Sequence, residues 1–524
     1  MMRLAKAAEM REIDRKAMAD YAIPGIILME HAANAVFQVI KEDFPSPVKT
    51  GVICGRGNNG GDGWAIARLL LQAGWDVTVF HPGLGVDLPP DAGQNREISL
   101  RLGVRAEEWE KLLVAAESIH SYDLLIDALL GTGFRGQAEG DYGRLIELIN
   151  CSGKPVIAVD LPSGLEADTG RVNGPVVKAW QTVTFGLPKI GLLAYPGRGF
   201  AGELIINRIG LPQELLSGEQ TKYFTYLPEE VKKLRPKRNA EAHKGSCGRL
   251  LIIGGSAGLT GAPVLAGMGA LRSGAGLVTL GLRDGLLLTE KPPELMVKSW
   301  SQIHQQIETL GLGREYDAAV IGPGLSTAPD GRDLLFKVLA EENLTKVLDA
   351  DALNILSSEE DWWTKARGSL VLTPHPGEMA RLTGLSIAAV QKDRLAIVEE
   401  SAELWQAVVV LKGAGTTVAS PEGLIYINPT GNPGMATGGT GDLLSGMLGA
   451  LLGQGLSPLE GACLGVYMHG AAADLAAEEL GYTGMIAGDL LSRLPRVLMG
   501  KFTKAEVDSV DGRYTLASPV RENL

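Results

Sequence analysis

Cysteine is scarce in this sequence. The 524 residues include four, Cys54, Cys151, Cys247 and Cys463, far apart and in no paired motif. That argues against a disulfide framework and against a zinc site. Long basic runs are missing as well, and the formal net charge is -12, so nucleic acid is not an expected partner. No uncharged apolar run reaches the ~20 residues of a membrane span. Met1–Asp20 is mixed in charge and has no apolar core of a secretory signal. The expectation is a cytoplasmic protein with no membrane partner. Nothing reads G-x-x-x-x-G-K-[ST], which excludes P-loop phosphate handling.

Glycine is abundant, at 68 residues, close to double the ~7% of an average chain. The glycines cluster at the ends of apolar runs, as strand-to-helix turns require. Hydrophobic residues make up 45%, enough for full cores, and the length suggests two to four domains. An acidic chain repels anions at long range. Any phosphate site must therefore be local, built from backbone N–H groups and a few cations.

Apolar residues follow helical spacing over Leu4–Tyr21 and Ile26–Ile40. A βαβ rhythm follows: strand Val52–Cys54, helix Gly63–Ala73, strand Val77–Phe80, strand Leu124–Ile126, helix Tyr142–Ile149 and strand Val156–Val159. Short strands near Thr182–Phe185 and Leu204–Ile206 close the unit. This rhythm predicts a parallel sheet with helices on both faces, a Rossmann-like three-layer α/β domain over 1–220. Pro212–Lys244 is polar, with Pro228, Pro236 and the run Lys232-Lys233-Leu234-Arg235, and reads as the linker and the entry to a second domain. The alternative is a surface helix and loop within one domain. A second α/β domain is expected over 221–505, with strands at Arg249–Ile253, Leu277–Leu280, Ala318–Ile321, Lys346–Leu348, Leu370–Leu372 and Val408–Leu411. Helices Asp442–Leu452 and Leu459–Glu478 finish it, and 506–524 reads as a polar, peripheral tail. No repeat of 20–50 residues is present.

Gly55-Arg56-Gly57-Asn58-Asn59-Gly60 fits G-x-G-x-x-G between a strand and a helix. A dinucleotide reading lacks its ribose-binding acid, since none ends the second strand near Phe80–Pro82. Asp62 would also put a carboxylate where the pyrophosphate docks. The run Asn58-Asn59-Gly60-Gly61-Asp62-Gly63 instead crowds oxygens at a helix amino terminus beside free backbone donors, a turn suited to a cation and an anion side by side. The plain alternative is a capped helix. Two further loops end predicted strands, Asp127-Ala128-Leu129-Leu130-Gly131-Thr132-Gly133 and Asp160-Leu161-Pro162-Ser163-Gly164. Ligands bind at that edge of open parallel sheets.

Through these three loops, residues 1–215 resemble the amino-terminal domain of the bifunctional NAD(P)H-hydrate repair enzymes. The resemblance implies NAD(P)H-hydrate epimerase activity, interconverting the R and S hydrates of NADH and NADPH at C6 of the nicotinamide ring. It implies a hydrate site made by Asn58, Asn59, Gly60, Gly61, Asp62, Gly131, Thr132, Gly133, Phe134, Arg135, Gly136, Gln137, Tyr142 and Asp160. It implies a potassium site at Asn59, Asp127 and Ser163, with Lys189 close by. Epimerising a carbinol beside a ring nitrogen needs proton transfer. Asp160 is the expected acid/base, because a carboxyl at a desolvated strand end has a raised pKa.

In the second half, Asn432-Pro433-Gly434-Met435-Ala436-Thr437-Gly438-Gly439-Thr440-Gly441-Asp442 opens a helix. Its glycines let N–H groups converge on an anion, and Asp442 is placed to take a proton from an attacking hydroxyl. Leu411-Lys412-Gly413-Ala414-Gly415-Thr416 follows a strand and offers close approach and a positive charge. A simple turn with a surface lysine is its alternative. Thr373-Pro374-His375-Pro376-Gly377-Glu378-Met379 holds a histidine between prolines. Asp349-Ala350-Asp351 and Gly322-Pro323-Gly324 end two more strands.

Together with Lys244–Ser256, these segments resemble the ribokinase-like NAD(P)H-hydrate dehydratase domain over about 225–500. The resemblance implies that Lys412, Gly413, Ala414, Gly415, Thr416 and Gly441 bind the AMP part of ADP or ATP. Ala262, Gly324, His375 and Asp442 would contact the hydrate. Asp442 would be the base as phosphate passes to the C6 hydroxyl, and elimination of phosphate would restore NAD(P)H. Magnesium would bridge the nucleotide phosphates, with Asp349 and Asp351 as possible ligands. A homo-oligomer is expected. Two other readings stay open: a vitamin or sugar kinase using the same base, and a first domain that only binds a nucleotide and regulates the second.

Overall fold

In the computed structural model, the described residues are 1–218, 222–286, 288, 291–502, 507–508 and 513–516. They divide into two compact units. One comprises Arg3–Tyr223 with Lys504–Leu524, the other Phe224–Thr503 with Met1–Met2.

The first unit is built on a nine-stranded sheet among the described residues. Its order is Val507–Asp508, Arg513–Leu516, Glu203–Asn207, Gln181–Phe185, Val156–Val159, Leu124–Ala128, Thr50–Cys54, Val77–His81 and Arg105–Glu108. All neighbours from Glu203–Asn207 to Arg105–Glu108 are parallel. Alternate side chains feed two cores. Val52, Leu124, Ile126 and Ile157 pack with Trp64, Ile66 and Leu70 of the Asn58–Gln72 helix. Ile53, Leu125 and Phe80 pack with Leu145, Ile146 and Ile149 of the Gly140–Cys151 helix. Burial on both faces explains why these strands read as continuous apolar runs.

Arg105–Glu108 gave no strand signal because it is a charged edge strand. The tail expected at 506–524 lies mostly outside the described residues. Of it, Arg513–Leu516 is not peripheral coil but a strand paired antiparallel to Glu203–Asn207.

The second unit's sheet runs Met296–Ser299, Leu277–Leu282, Arg249–Ile253, Ala318–Ile321, Thr345–Leu348, Leu370–Leu372 and Val408–Leu411, all parallel. Thr417–Ala419 and Ile425–Ile427 continue it antiparallel. Helices Gly261–Arg272, Thr440–Gly453 and Pro458–Leu480 cover the core. Within Pro212–Lys244, expected to hold the linker and the entry to a second domain, the second unit begins at Phe224. Phe224, Tyr226 and Val231 are buried in this core, and both aromatic rings pack on Tyr426. The polar surface of the Pro228–Leu234 helix hid those anchors.

In each sheet the chain runs outward to one edge, then returns to the other side of its starting strand. The first reversal lies between Thr50–Cys54 and Leu124–Ala128, the second between Arg249–Ile253 and Ala318–Ile321. At such a switch point the loops leaving the carboxyl ends diverge and leave a crevice.

Candidate functional sites

A cavity of about 650 Å³ lies at the first switch point. Asn58, Asn59, Asp62, Gly131, Thr132, Gly133, Phe134, Tyr142 and Asp160 line it. Gly60 and Gly61 do not. A Cβ on Gly60 would overlap the Gly55 carbonyl, so this glycine lets the loop close under the site. Arg135, Gly136 and Gln137 also lie off the wall. Arg135 is paired with Asp168 at 2.6 Å, the Gly136 N–H donates to Glu166 Oε1 at 3.3 Å, and Gln137 packs on Gly174.

The three oxygen-bearing residues expected around potassium are brought together. The Ser163 hydroxyl donates to Asp127 Oδ1 at 2.6 Å, and the Ser163 N–H donates to Oδ2 at 2.8 Å. The Asn59 amide donates to the Leu130 carbonyl at 3.1 Å. Asn59 Oδ1 is buried without a hydrogen-bond partner. Burial pushes the Asp127 carboxyl up to about 6, against the hydrogen bonds from Ser163. An orphaned amide oxygen beside a buried carboxyl, a hydroxyl and a carbonyl is a donor set that suits an alkali cation.

Asp160 is held by several contacts. It sits at φ +67°, a left-handed conformation that side chains other than glycine seldom adopt. Its Oδ1 accepts from Lys189 Nζ, from Thr184 Oγ1 at 3.0 Å and from the Phe185 N–H at 3.2 Å. The ammonium that compensates it is itself only 2% exposed. Asp160 is therefore held in place by an ion pair and two further donors. Asp62 is different: burial, with the Asp160 and Asp14 carboxylates nearby, drives it well above the usual carboxylate range. Asp14, from the Ala7–Asp20 helix, also lines the cavity and is raised by burial to about 6.

In the second unit, Ala262 and Gly324 meet at the switch point. A Cβ on Gly324 would lie 3.5 Å from that of Ala262 and 2.5 Å from the Leu259 carbonyl oxygen. Lys412 is not a surface lysine. Its ammonium donates to Asp349 Oδ1 at 2.7 Å, lies 3.7 Å from Glu378 Oε2, and is 3.5 Å from the Cβ position of Gly441. Gly413 and Ala414 are exposed, and the Thr416 hydroxyl donates back to the Gly413 carbonyl at 3.0 Å.

His375 caps the Pro376–Thr383 helix. Its Nδ1 accepts from the Gly377 and Glu378 N–H groups at 2.9 and 3.3 Å, and Nε2 lies 3.5 Å from Glu378 Oε1. Burial and the charges of Lys412 and Arg381 lower its pKa. Asp442 stands in the first turn of the Thr440–Gly453 helix. Burial and Asp349 raise it to about 6, partly offset by Lys412. Asp349 is engaged with Lys412. Asp351 accepts from the Ser326 N–H and the Asn354 amide, at 2.8 and 3.3 Å. Glu378, which sequence reasoning passed over, is buried and raised by desolvation to about 7. Its only sequence signal was a carboxylate three residues after a helix-capping histidine.

Residues 25–191 match the family model described as YjeF-related protein N-terminus, and residues 250–496 match that of NAD(P)H-hydrate dehydratase. The bifunctional NAD(P)H-hydrate repair enzyme Nnr of Moorella thermoacetica is 45% identical over 95% of this chain and 97% of its own length. That of Escherichia coli K12 is 41% identical over 96% and 95%. The crystal structure of a Bacillus subtilis ADP/ATP-dependent NAD(P)H-hydrate dehydratase, co-crystallized with ATP and Mg2+, is 36% identical. It covers 52% of this chain and 97% of that one, with a TM-score of 0.48. With relatives this similar along nearly their whole length, the chain belongs to the family of bifunctional NAD(P)H-hydrate repair enzymes.

Proposed function

We propose that the two switch-point sites divide the family's two reactions between them. The cavity around Asp160 and Lys189 epimerises the R and S hydrates of NADH and NADPH. The cluster around Asp442 dehydrates the S form at the expense of ADP or ATP. The observation that carries the first assignment is a single cavity holding a lysine-paired carboxylate and two half-buried carboxyls, unpaired among the described residues, at one sheet edge. Such a set can supply both a proton and its acceptor near neutral pH.

Potassium fits at Asn59, Asp127 and Ser163. It would neutralise the buried Asp127 and tie together the loops that form the cavity floor. In the second site, Asp442 takes the proton of the C6 hydroxyl as phosphate arrives. Phosphate leaves far more readily than hydroxide, and elimination returns the reduced nicotinamide. Asp349, Glu378 and Lys412 surround Asp442 and hold the local charge balance. Magnesium, when bound, would neutralise nucleotide phosphates, with Asp349 and Asp351 as the carboxylates that could hold it. The exposed turn Gly413–Gly415 is placed for the AMP moiety.

The test uses purified R and S NADH hydrates. The whole chain should equilibrate them without nucleotide, and should restore 340 nm absorbance only with ADP or ATP and magnesium. Gly133 lines the cavity and has open space at its Cβ position. Gly133→Trp should therefore block epimerisation and leave dehydration of the S form intact. Equilibration at the full rate in Gly133→Trp would remove the cavity from the reaction.

A further inference from the structure

The Ala7–Asp20 helix presents a stripe to the cavity: Met10, Arg11, Asp14 and Met18 all line it. Residues four apart share one helix face, so Asp14 interrupts the otherwise apolar row of Met10 and Met18. A half-exposed aspartate on an ordinary surface helix would point to water or to a cation. This one points into the cavity, and it makes no hydrogen bond or ion pair in the described structure. Nearby Lys189 is already committed to Asp160, Thr184 and the Phe185 carbonyl. Asp62, from the Asn58–Gln72 helix, is likewise half-buried in the wall and likewise without a hydrogen-bond partner among the described residues. The other charged or titratable groups of the wall are Arg11, Arg56, Asp91 and Tyr142.

We infer that Asp14 is a catalytic residue of the epimerase, exchanging a proton with the hydrate while Asp62 acts as its counterpart from the facing helix. The inference rests on the reading that this cavity holds the hydrate. The carboxyl of one aspartate gives its proton to the C6 hydroxyl. The C6–O bond breaks, and its electron pair leaves with water. The N1 lone pair forms the C6–N1 double bond of an iminium. Water returning on the opposite face adds to C6, the C6–N1 double-bond pair goes back to N1, and the second carboxylate takes the surplus proton. No oxidant or reductant enters, and in the reverse direction the two aspartates exchange roles.

A residue on each of two helices serves this sequence better than Asp160 alone, because protons are handled on both faces of one ring. Asp160 and Lys189 then hold the charge around the ring. Burial raises both carboxyls above the free value, so that near neutrality one can hold a proton while the other stands ionised to receive one.

The test is the rate of R-to-S conversion by the whole chain, followed by chromatography without nucleotide. S-hydrate dehydration in the same preparation reports a folded protein. Asp14→Asn should lower kcat at least about 100-fold, as expected for a lost acid/base, with KM for the hydrate within about 3-fold and dehydration unchanged. Asp14→Glu should recover part of kcat, which a merely structural role would not predict. The inference is overturned if Asp14→Asn keeps wild-type kcat, or if its defect lies in KM alone. Gly133→Trp separates the two levels. If it abolishes epimerisation while Asp14→Asn does not, the cavity stands and the role of Asp14 falls. If Gly133→Trp has no effect, the cavity assignment itself falls.

Discussion

Replacing Lys189 with methionine removes a cation and keeps most of the apolar stem. Lys189 is 2% exposed and Asp160 is 14% exposed, so the surviving carboxylate would stay largely out of water. Two further acceptors, Thr184 Oγ1 at 3.1 Å and the Phe185 carbonyl at 2.9 Å, would lose their donor. Leaving one member of a buried ion pair uncompensated costs about 3–5 kcal/mol. For a unit of this size each kcal/mol moves Tm by about 2–4 °C, so the first unit should melt about 6–20 °C lower.

The assay is calorimetry on the whole chain, in which the two units should give separable transitions. Asp160→Asn in the Lys189→Met background should raise the transition again, because it removes the stranded charge. The coupling between the two sites should exceed about 2 kcal/mol. A fall below about 3 °C in Lys189→Met, or purely additive effects of the two substitutions, would refute a charge-compensating role for the pair. Epimerisation should fall in Lys189→Met while dehydration continues.

Asp442→Asn should reduce S-hydrate dehydration by about 10²–10⁴-fold without affecting R/S equilibration, measured by NADH absorbance. A base must be ionised to act, and Asp442 is raised to about 6; dehydration should therefore hold above pH 6 and fall as pH drops through that value, a limb absent from epimerisation. Ser163→Ala should abolish any gain in epimerisation or in first-unit Tm on replacing sodium with potassium, because it removes one oxygen of the proposed site; an unchanged potassium response would place the ion elsewhere. Gly324→Val should depress dehydration and Tm of the second unit together. Its φ is +64° and its Cβ position already crowds the Leu259 carbonyl.

The parts legible in the sequence share one physical origin. A parallel sheet puts every strand's carboxyl end on one edge, so glycine-rich loops after apolar runs mark that edge without any knowledge of packing. Asn58–Asp62, Gly131–Gly133, Asp160, Gly324, His375 and Asp442 were all found this way. Buried strands also announce themselves by their apolar runs, whereas Arg105–Glu108 did not, because an edge strand carries charge.

The three-dimensional fold decided the electrostatics. Lys189 meets Asp160 across 29 positions of sequence, and Lys412 meets Asp349 across 63. No local pattern encodes either pair. Each depends on which strands become neighbours: Asp160 is joined to Lys189, and Lys412 to Asp349. Asp14 reaches the cavity because a helix far from the loops in sequence folds over the sheet edge. The sequence by itself determined both fold classes and pointed to the sheet edge that carries the loops, since those follow from periodicity and turn residues, while the family followed from the resemblance of its motifs. Only the tertiary structure decided which carboxyls are paired and which stay buried without a partner, because burial and charge compensation depend on contacts between residues distant in the chain.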